Sequence, residues 1–204
     1  MDSSPITASH PENNVMRLMP AFAFAGLLTG CATHTAAPIA APQVSASPAA
    51  QANARLIENF YRAFQRGDGE AMAAAYTADA RFSDPVFTGL SGSEPGDMWR
   101  MLTSRAQDFS LQFDGIRADE HTGEAHWIAT YTFSQTGRTV VNDIHSRFEF
   151  RDGKIAVQQD HFDLWKWSRQ ALGAPGYVLG WSPLVQGKIR KLAAKGLSDY
   201  RAKK

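Results

Sequence analysis

The sequence contains a single cysteine among its 204 residues, and this scarcity excludes several kinds of site. With Cys31 alone, the chain forms no internal disulfide and has no cysteine cluster for zinc or an iron–sulfur centre. A phosphate-cradling glycine loop, a nucleophile elbow and a dinucleotide fingerprint are also lacking. The histidines His126, His145 and His161 have no short ligand spacing, so we predict no metal site and no organic cofactor.

The chain also lacks an excess of charge of one sign. Its 21 Lys and Arg residues nearly balance 20 Asp and Glu residues, and this favours no nucleic-acid partner. The distribution is uneven, because residues 186–204 hold seven basic residues against Asp199 alone. We expect this basic tail either to pack on the domain as an amphipathic helix with solvated lysines, or to lie against anionic lipid.

Long hydrophobic runs are rare, and one of them stands near the start of the chain. Residues 18–30 are apolar and follow Arg17. A helix of that length covers about 20 Å, which is short of the roughly 30 Å hydrocarbon core of a membrane. The run therefore predicts the core of a signal peptide.

The four residues Leu28-Thr29-Gly30-Cys31 resemble the lipobox of bacterial lipoproteins. The resemblance implies that residues 1–31 are a lipoprotein signal peptide, with Met16 as an alternative start, and that Cys31 is lipidated. It also implies a protein anchored in the bacterial cell envelope, at the outer membrane facing the periplasm, because Ala32 rather than Asp follows the cysteine. The alternative is that Cys31 is an ordinary thiol.

Residues 32–52 contain almost no large apolar side chain and are rich in Ala, Pro, Ser and Thr. Such a segment cannot bury a core, so we predict a disordered tether. After it, apolar residues recur at helical spacing, and from Phe109 the period changes from 3.6 to 2. Helices followed by an antiparallel meander indicate an α+β fold with the helices on one face of the sheet.

The phrases FYRAFQRGD, RFSDPVFTG, RTVVNDIHSRFEFRDGKI and DHFD resemble the nuclear transport factor 2-like superfamily, in its SnoaL-like and ketosteroid isomerase-like branch. The resemblance covers residues 53–165 and implies a cone: a strongly curved antiparallel sheet wrapped around the N-terminal helices, enclosing an apolar pocket. Residues 166–204 extend beyond this pattern, and we predict a C-terminal helical extension ending in the basic tail.

The resemblance also implies two catalytic candidates. Asp84 in SDPVF matches the general base of ketosteroid isomerases, and Asp160 occupies a place comparable to an acidic residue on the last long strand of cyclases and epoxide hydrolases. Together they are predicted to hold and exchange a proton across a dry pocket. The alternatives are that Asp84 makes a turn before Pro85 and that Asp160 belongs to a structural seam with His161 and Asp163.

Further side chains are predicted to line the pocket. Because strand neighbours point to opposite faces, the interior receives either Asp160 or the pair His161 and Asp163. The full set of pocket candidates is Tyr61, Trp99, Tyr131, Asn142, His145, His161 and Asp163.

We therefore expect a lipid-anchored envelope domain that binds a small hydrophobic molecule, with isomerase-, cyclase- or hydratase-type acid–base chemistry by aspartate. The alternative is a non-catalytic ligand-binding or assembly module of the envelope. Homodimers are common in the resembled family, so a homodimer is among the expectations.

Overall fold

The computed structural model describes residues 47–204, which form six helices and six strands. The predicted signal peptide, Cys31 and residues 32–46 lie outside the described residues. In chain order the elements are α1 (Pro48–Gln65), α2 (Gly69–Ala74), β1 (Tyr76–Ser83), β2 (Leu90–Ser91), α3 (Glu94–Arg105), β3 (Ser110–Ala118), β4 (Thr122–Phe133), β5 (Arg138–Arg151), β6 (Lys154–His161), α4 (Leu164–Leu172), α5 (Ala174–Leu179) and α6 (Pro183–Arg201).

Helix α1 begins earlier than the sequence pattern predicts. The Ser47 side chain accepts a hydrogen bond from the backbone N–H of Ala50, and Pro48 occupies the first turn. Both features favour helix initiation, because a capping oxygen satisfies a free amide and proline has its φ already set. Residues 48–52 are therefore helical, which corrects the predicted disordered tether at its C-terminal end.

The six strands form one sheet in the order β2-β1-β6-β5-β4-β3. The predicted antiparallel meander is confirmed for β3 to β6. Strand β1 pairs in parallel with β6, which the sequence pattern does not anticipate. The register shifts place extra residues in β1, in β3 and, at Ala156, in β6; in β3 the shift coincides with Gly115 at a φ of 61°. Bulges of this kind bend and twist strands, which curves the sheet.

The concave face of the sheet holds the main core. Helix α1 buries a stripe of apolar side chains against it, and α3 adds the neighbouring aromatic and thioether groups. Gly123 on β4 permits this close packing, since a Cβ there would lie 2.8 Å from Cδ1 of Ile57 and 2.9 Å from Cζ of Phe150. The largest fully buried members of the core include Ile57, Phe60, Tyr61, Met72, Phe82, Met98, Ile144, Phe148 and Ile155.

The C-terminal extension packs back on the domain. Leu164, Trp167 and Ala171 of α4 form a second apolar cluster with Val140 of β5. Helix α6 is held to α3 at its C-terminal end, where Arg201 pairs with Glu94 and Asp97. Within residues 47–204, no helix is both long enough and apolar enough to cross a membrane.

We predict opposite effects for two glycine substitutions. Gly123→Ala should lower the free energy of unfolding by about 1–3 kcal/mol, because the added methyl group overpacks the contact between α1 and the sheet. Gly187→Ala in α6 meets no atom within 4 Å and should raise it by up to about 1 kcal/mol through helix propensity. Urea denaturation of both variants measures this; equal stability of the two would contradict the packing described.

Candidate active site

A buried carboxyl group lies at the centre of the concave face. Asp160 of β6 is 3% exposed, and its partner in the strand register is Ser146 of β5. The Ser146 hydroxyl donates to Oδ1 of Asp160 at 2.6 Å. The Gln158 amide, on the same face of β6, donates to Oδ1 and Oδ2 of Asp160 at 2.9 and 3.1 Å. The carboxyl therefore has polar partners in an otherwise apolar interior.

Aromatic side chains orient the serine. The Tyr61 hydroxyl from α1 donates to Oγ of Ser146 at 2.9 Å, and Nε1 of Trp127 from β4 donates to the same atom at 2.8 Å. A hydroxyl offers one donor and two acceptor positions. Both acceptor positions of Ser146 are thus filled, so its proton is directed at Asp160.

A second set of hydrogen bonds orients Gln158. Nε1 of Trp99 on α3 donates to the Tyr76 hydroxyl at 2.8 Å, and Tyr76 donates to Oε1 of Gln158. With its oxygen held in this way, the Gln158 amide group faces Asp160. Burial raises the pKa of Tyr61 and of Tyr76 well above the usual tyrosine value, so both hydroxyls remain protonated donors.

Burial and hydrogen bonding act in opposite directions on Asp160. Removal from water, with a smaller contribution from the charge of Asp84, raises its pKa to about 7 against the lowering effect of the bonds from Ser146 and Gln158. The group thus changes protonation state near neutral pH. A carboxyl with this property can give or take a proton in an apolar environment.

Asp84 follows β1 and combines a structural contact with a perturbed pKa. Its Oδ1 accepts hydrogen bonds from the backbone N–H of Val86, at 2.6 Å, and of Phe87. It therefore closes the turn around Pro85, as the alternative interpretation expects. Burial raises its pKa to about 6 although these amides lower it. Its charge also raises the pKa of Tyr131, after the larger effect of burial there.

The family model described as a SnoaL-like domain matches residues 57–158, half of the chain. The chain belongs to the SnoaL-like domain family. No curated protein sequence matches it.

Solved structures agree with this assignment at the level of the fold. A LEH-like epoxide hydrolase from M. tuberculosis is 22% identical with a TM-score of 0.53, and the match covers 61% of this chain and 92% of that one. A protein described as a candidate polyketide cyclase from Xanthomonas campestris is 21% identical with a TM-score of 0.52, over 60% and 98% of the two chains. A hypothetical protein with a ketosteroid isomerase-like fold from Catenulispora acidiphila, in complex with trimethylamine, is 13% identical with a TM-score of 0.53, over 63% and 97%.

The SnoaL-like domain brings together several of the residues predicted from the sequence. Tyr61, Trp99 and Asp160 all belong to the buried network. Tyr131 lies half-buried beyond it, and its hydroxyl accepts a hydrogen bond from Nε1 of Trp167 at 2.8 Å. Asn142 is half-buried and shares the inward face of β5 with Ser146.

Three of the predicted pocket residues lie outside this interior. His145 and His161 are exposed on the outer face of the sheet, because alternation along β5 and β6 turns Ser146 and Asp160 inward. Asp163 is also exposed, and its Oδ1 caps α4 by accepting from the backbone N–H of Trp165 and Lys166 at 2.8 and 2.9 Å. The sequence alone left open which face of β6 turns inward; the structure places Asp160 there.

Sequence reasoning missed three members of the network: Tyr76, Trp127 as a hydrogen-bond donor, and Gln158. A signal for Gln158 was present, since it stands two residues before Asp160 and alternation places both on one face. Tyr76 gave no such signal, because its contact depends on the unpredicted parallel pairing of β1 with β6.

The C-terminal extension closes over one end of this interior. Val86 and Phe162 pack against both apolar clusters, and Nε of Arg190 on α6 donates to the carbonyl oxygen of Pro85 at 2.9 Å. Two surface depressions elsewhere are lined mainly by outward-facing groups such as Arg147 and Glu149, and neither includes Asp84 or Asp160. Helix α6 thus covers the turn at Pro85.

We predict that Asp160→Asn flattens the dependence of stability on pH. Because the pKa of Asp160 is about 7 in the folded protein against 3.8 as its reference, the folded form retains a proton that the unfolded chain loses. Stability should therefore fall as the pH rises from about 4 to 7, by roughly 4 kcal/mol at most. The Asn variant should lack this loss of stability. The raised pKa of Asp84 should still cause part of the fall in stability as the pH rises.

Urea denaturation at pH 5 and pH 8 measures the effect. Asp152→Asn is the matched control, because Asp152 lies exposed in the β5–β6 turn at a φ of 53°, which asparagine tolerates. The same pH dependence in the Asp160→Asn variant and in the wild type would contradict the raised pKa.

Proposed function

We propose that this SnoaL-like protein binds a small apolar molecule in its concave interior and that Asp160 exchanges a proton with it. The proposal rests on the Asp160 carboxyl group, which is buried among aromatic side chains and has a pKa of about 7. Acid–base catalysis is most effective when the pKa of the group lies near the working pH. The proposed reaction class is an isomerisation, cyclisation or hydration, taken from the structural relatives described as an epoxide hydrolase, a polyketide cyclase and a protein with a ketosteroid isomerase-like fold; Asp160 would supply its proton transfer.

The hydrogen-bond network supports this role. Ser146 and Gln158 both donate to Asp160, so they stabilise its carboxylate after proton release. Tyr61 and Trp127 keep Ser146 oriented, which limits the reorganisation needed when the charge appears. The network thus supports a carboxyl that is protonated in one half of a reaction cycle and ionised in the other.

Asp84 is proposed as the second carboxyl of a coupled pair. Burial raises the pKa of Asp160 most and the charge of Asp84 raises it further, so ionisation of Asp84 disfavours ionisation of Asp160. In the proposed reaction the two groups serve as acid and base in turn. The turn-closing bonds to Oδ1 fix the position of the Asp84 carboxyl.

We predict turnover of small apolar substrates by the purified protein. Hydrolysis of styrene oxide tests the hydration chemistry, and conversion of cyclohex-3-enone to cyclohex-2-enone tests proton shuttling. Asp160→Asn should lower either rate by at least about 100-fold, the usual contribution of a general acid or base. Asp152→Asn, the exposed control, should keep the wild-type rate. An undiminished rate in the Asp160→Asn variant would rule out the catalytic role.

A second candidate function is non-catalytic binding or assembly in the same interior. It is favoured by the turn-closing bonds of Asp84 and by the closure of the extension over Pro85. Under this function, cyclohexanone would shift the indole NMR signals of Trp99 and Trp127, whereas neither substrate would turn over.

We also propose that the protein is anchored in the bacterial envelope through lipidated Cys31, at the outer membrane facing the periplasm. Large apolar side chains that are exposed at the junction of α5 and α6 support a position near a membrane: Tyr177, Val178, Leu179, Trp181 and Leu184. The basic residues of α6 and the tail follow directly. Lipid anchoring is stable when an acyl chain acts together with a second membrane contact of this kind.

We predict that Cys31→Ser abolishes lipidation of the full chain expressed in a bacterial host. The wild type should incorporate labelled palmitate and sediment with membranes, because the thiol is the attachment site. Ser45→Ala, a polar change in the same N-terminal region, should leave both properties intact. Palmitate incorporation by the serine variant at the wild-type level would contradict the anchor.

A further inference from the structure

We propose that the outer face of the sheet carries a binding site for a divalent transition-metal ion, best suited to Zn²⁺. Its ligands are His126 of β4 and Asp143 and His145 of β5. The site lies on the opposite face of the sheet from Asp160 and is independent of the proposed reaction.

The strand register assembles these residues. His126 lies directly opposite His145 in the antiparallel pairing of β4 with β5, and their rings stack with centroids 4.7 Å apart. Asp143 stands two residues before His145 and so shares its face of β5. Residues distant in sequence thus become neighbours, which is why the absence of short ligand spacing does not exclude a metal site.

The ligand atoms are close enough for one ion. One ligand atom from each of the three residues lies within 4.8 Å of the others. Around a tetrahedral Zn²⁺, with bonds of about 2.0–2.2 Å, ligand atoms stand roughly 3.5 Å apart. The exposed side chains of Asp143 and His145 therefore need to move only slightly, while the paired strands hold the backbone in place.

A fourth residue orients His126 for coordination. Nδ1 of His126 lies 3.0 Å from Oδ1 of Asp114, and Nε2 lies 2.8 Å from Oδ1 of Asp143. A metal ion between Nε2 and Asp143 leaves the Nδ1–H bonded to Asp114. Histidines that bind metals commonly donate their other ring N–H to a carboxylate in this way, which fixes the tautomer and the orientation of the ring.

The chemistry of the ligands selects the class of ion. Two imidazoles with one carboxylate suit zinc and its transition-metal neighbours, whereas magnesium and calcium prefer oxygen ligands alone. His161 stands opposite His145 on β6, so it is the neighbouring side chain placed to join as a further ligand; otherwise water completes the coordination.

Titration of the metal-stripped full chain with zinc chloride in a calorimeter tests the proposal. We expect one Zn²⁺ per chain with a dissociation constant in the micromolar range or tighter. His126→Ala and His145→Ala should each weaken binding at least 10-fold. Asp114→Asn should weaken it by a smaller factor, since this residue acts through His126. His121→Ala removes an exposed histidine of the β3–β4 turn outside the site and should bind zinc like the wild type.

Thermal melting without zinc separates binding from folding. Asp114, His121 and His145 are exposed and His126 is half-buried on the outer face, so the variants should melt close to the wild type. Added zinc should then raise the melting temperature of the wild type more than that of His145→Ala. Absence of saturable binding, or equal affinity of the wild type and the His126→Ala variant, would overturn the proposal.

Discussion

The hydrogen bond from Ser146 to Asp160 is the contact on which the interior of this protein depends. An ionised carboxylate in an apolar core is costly, and a buried polar group needs partners. Ser146 and Gln158 supply them, and each is oriented by aromatic side chains from other elements: Tyr61 and Trp127 for the serine, Tyr76 and Trp99 for the glutamine. The network thereby joins α1, α3, β1, β4, β5 and β6 around one titratable group.

This arrangement relates the fold to the proposed chemistry. The SnoaL-like domain curves its sheet around α1, and the aromatic donors packed around Asp160 also exclude water from it. Exclusion of water raises the pKa of that carboxyl towards neutrality, which is the property a proton-transfer group requires. The same strands carry histidines on the outer face of the sheet. On β5, for example, Ser146 points into the interior and the neighbouring His145 points outward.

Local sequence patterns predicted much of this fold. Helical periodicity identified the face of α1, alternation identified the meander, and the phrases around Asp84 and Asp160 indicated the family. The remainder depends on long-range pairing. The parallel contact of β1 with β6 brings Tyr76 to Gln158, and the register of β4 with β5 brings His126 to His145; neither is encoded in local spacing. Alternation without a bulge restricted the inward residues of β6 to two sets, one of which joined His161 and Asp163 to the face of Ile155. The extra residue at Ala156 instead puts Ile155 and Asp160 on the same inward face, and local spacing does not predict this bulge.

Direct titration of Asp160 tests the central claim of a buried carboxyl that changes protonation near neutral pH. The ¹³Cγ chemical shift of this residue, assigned by comparison with Asp160→Asn, reports its ionisation as the pH is varied. We expect a midpoint close to pH 7, with a smaller inflection near 6 from Asp84. A midpoint near 4, as for an exposed aspartate, would contradict a carboxyl group that is protonated near neutral pH.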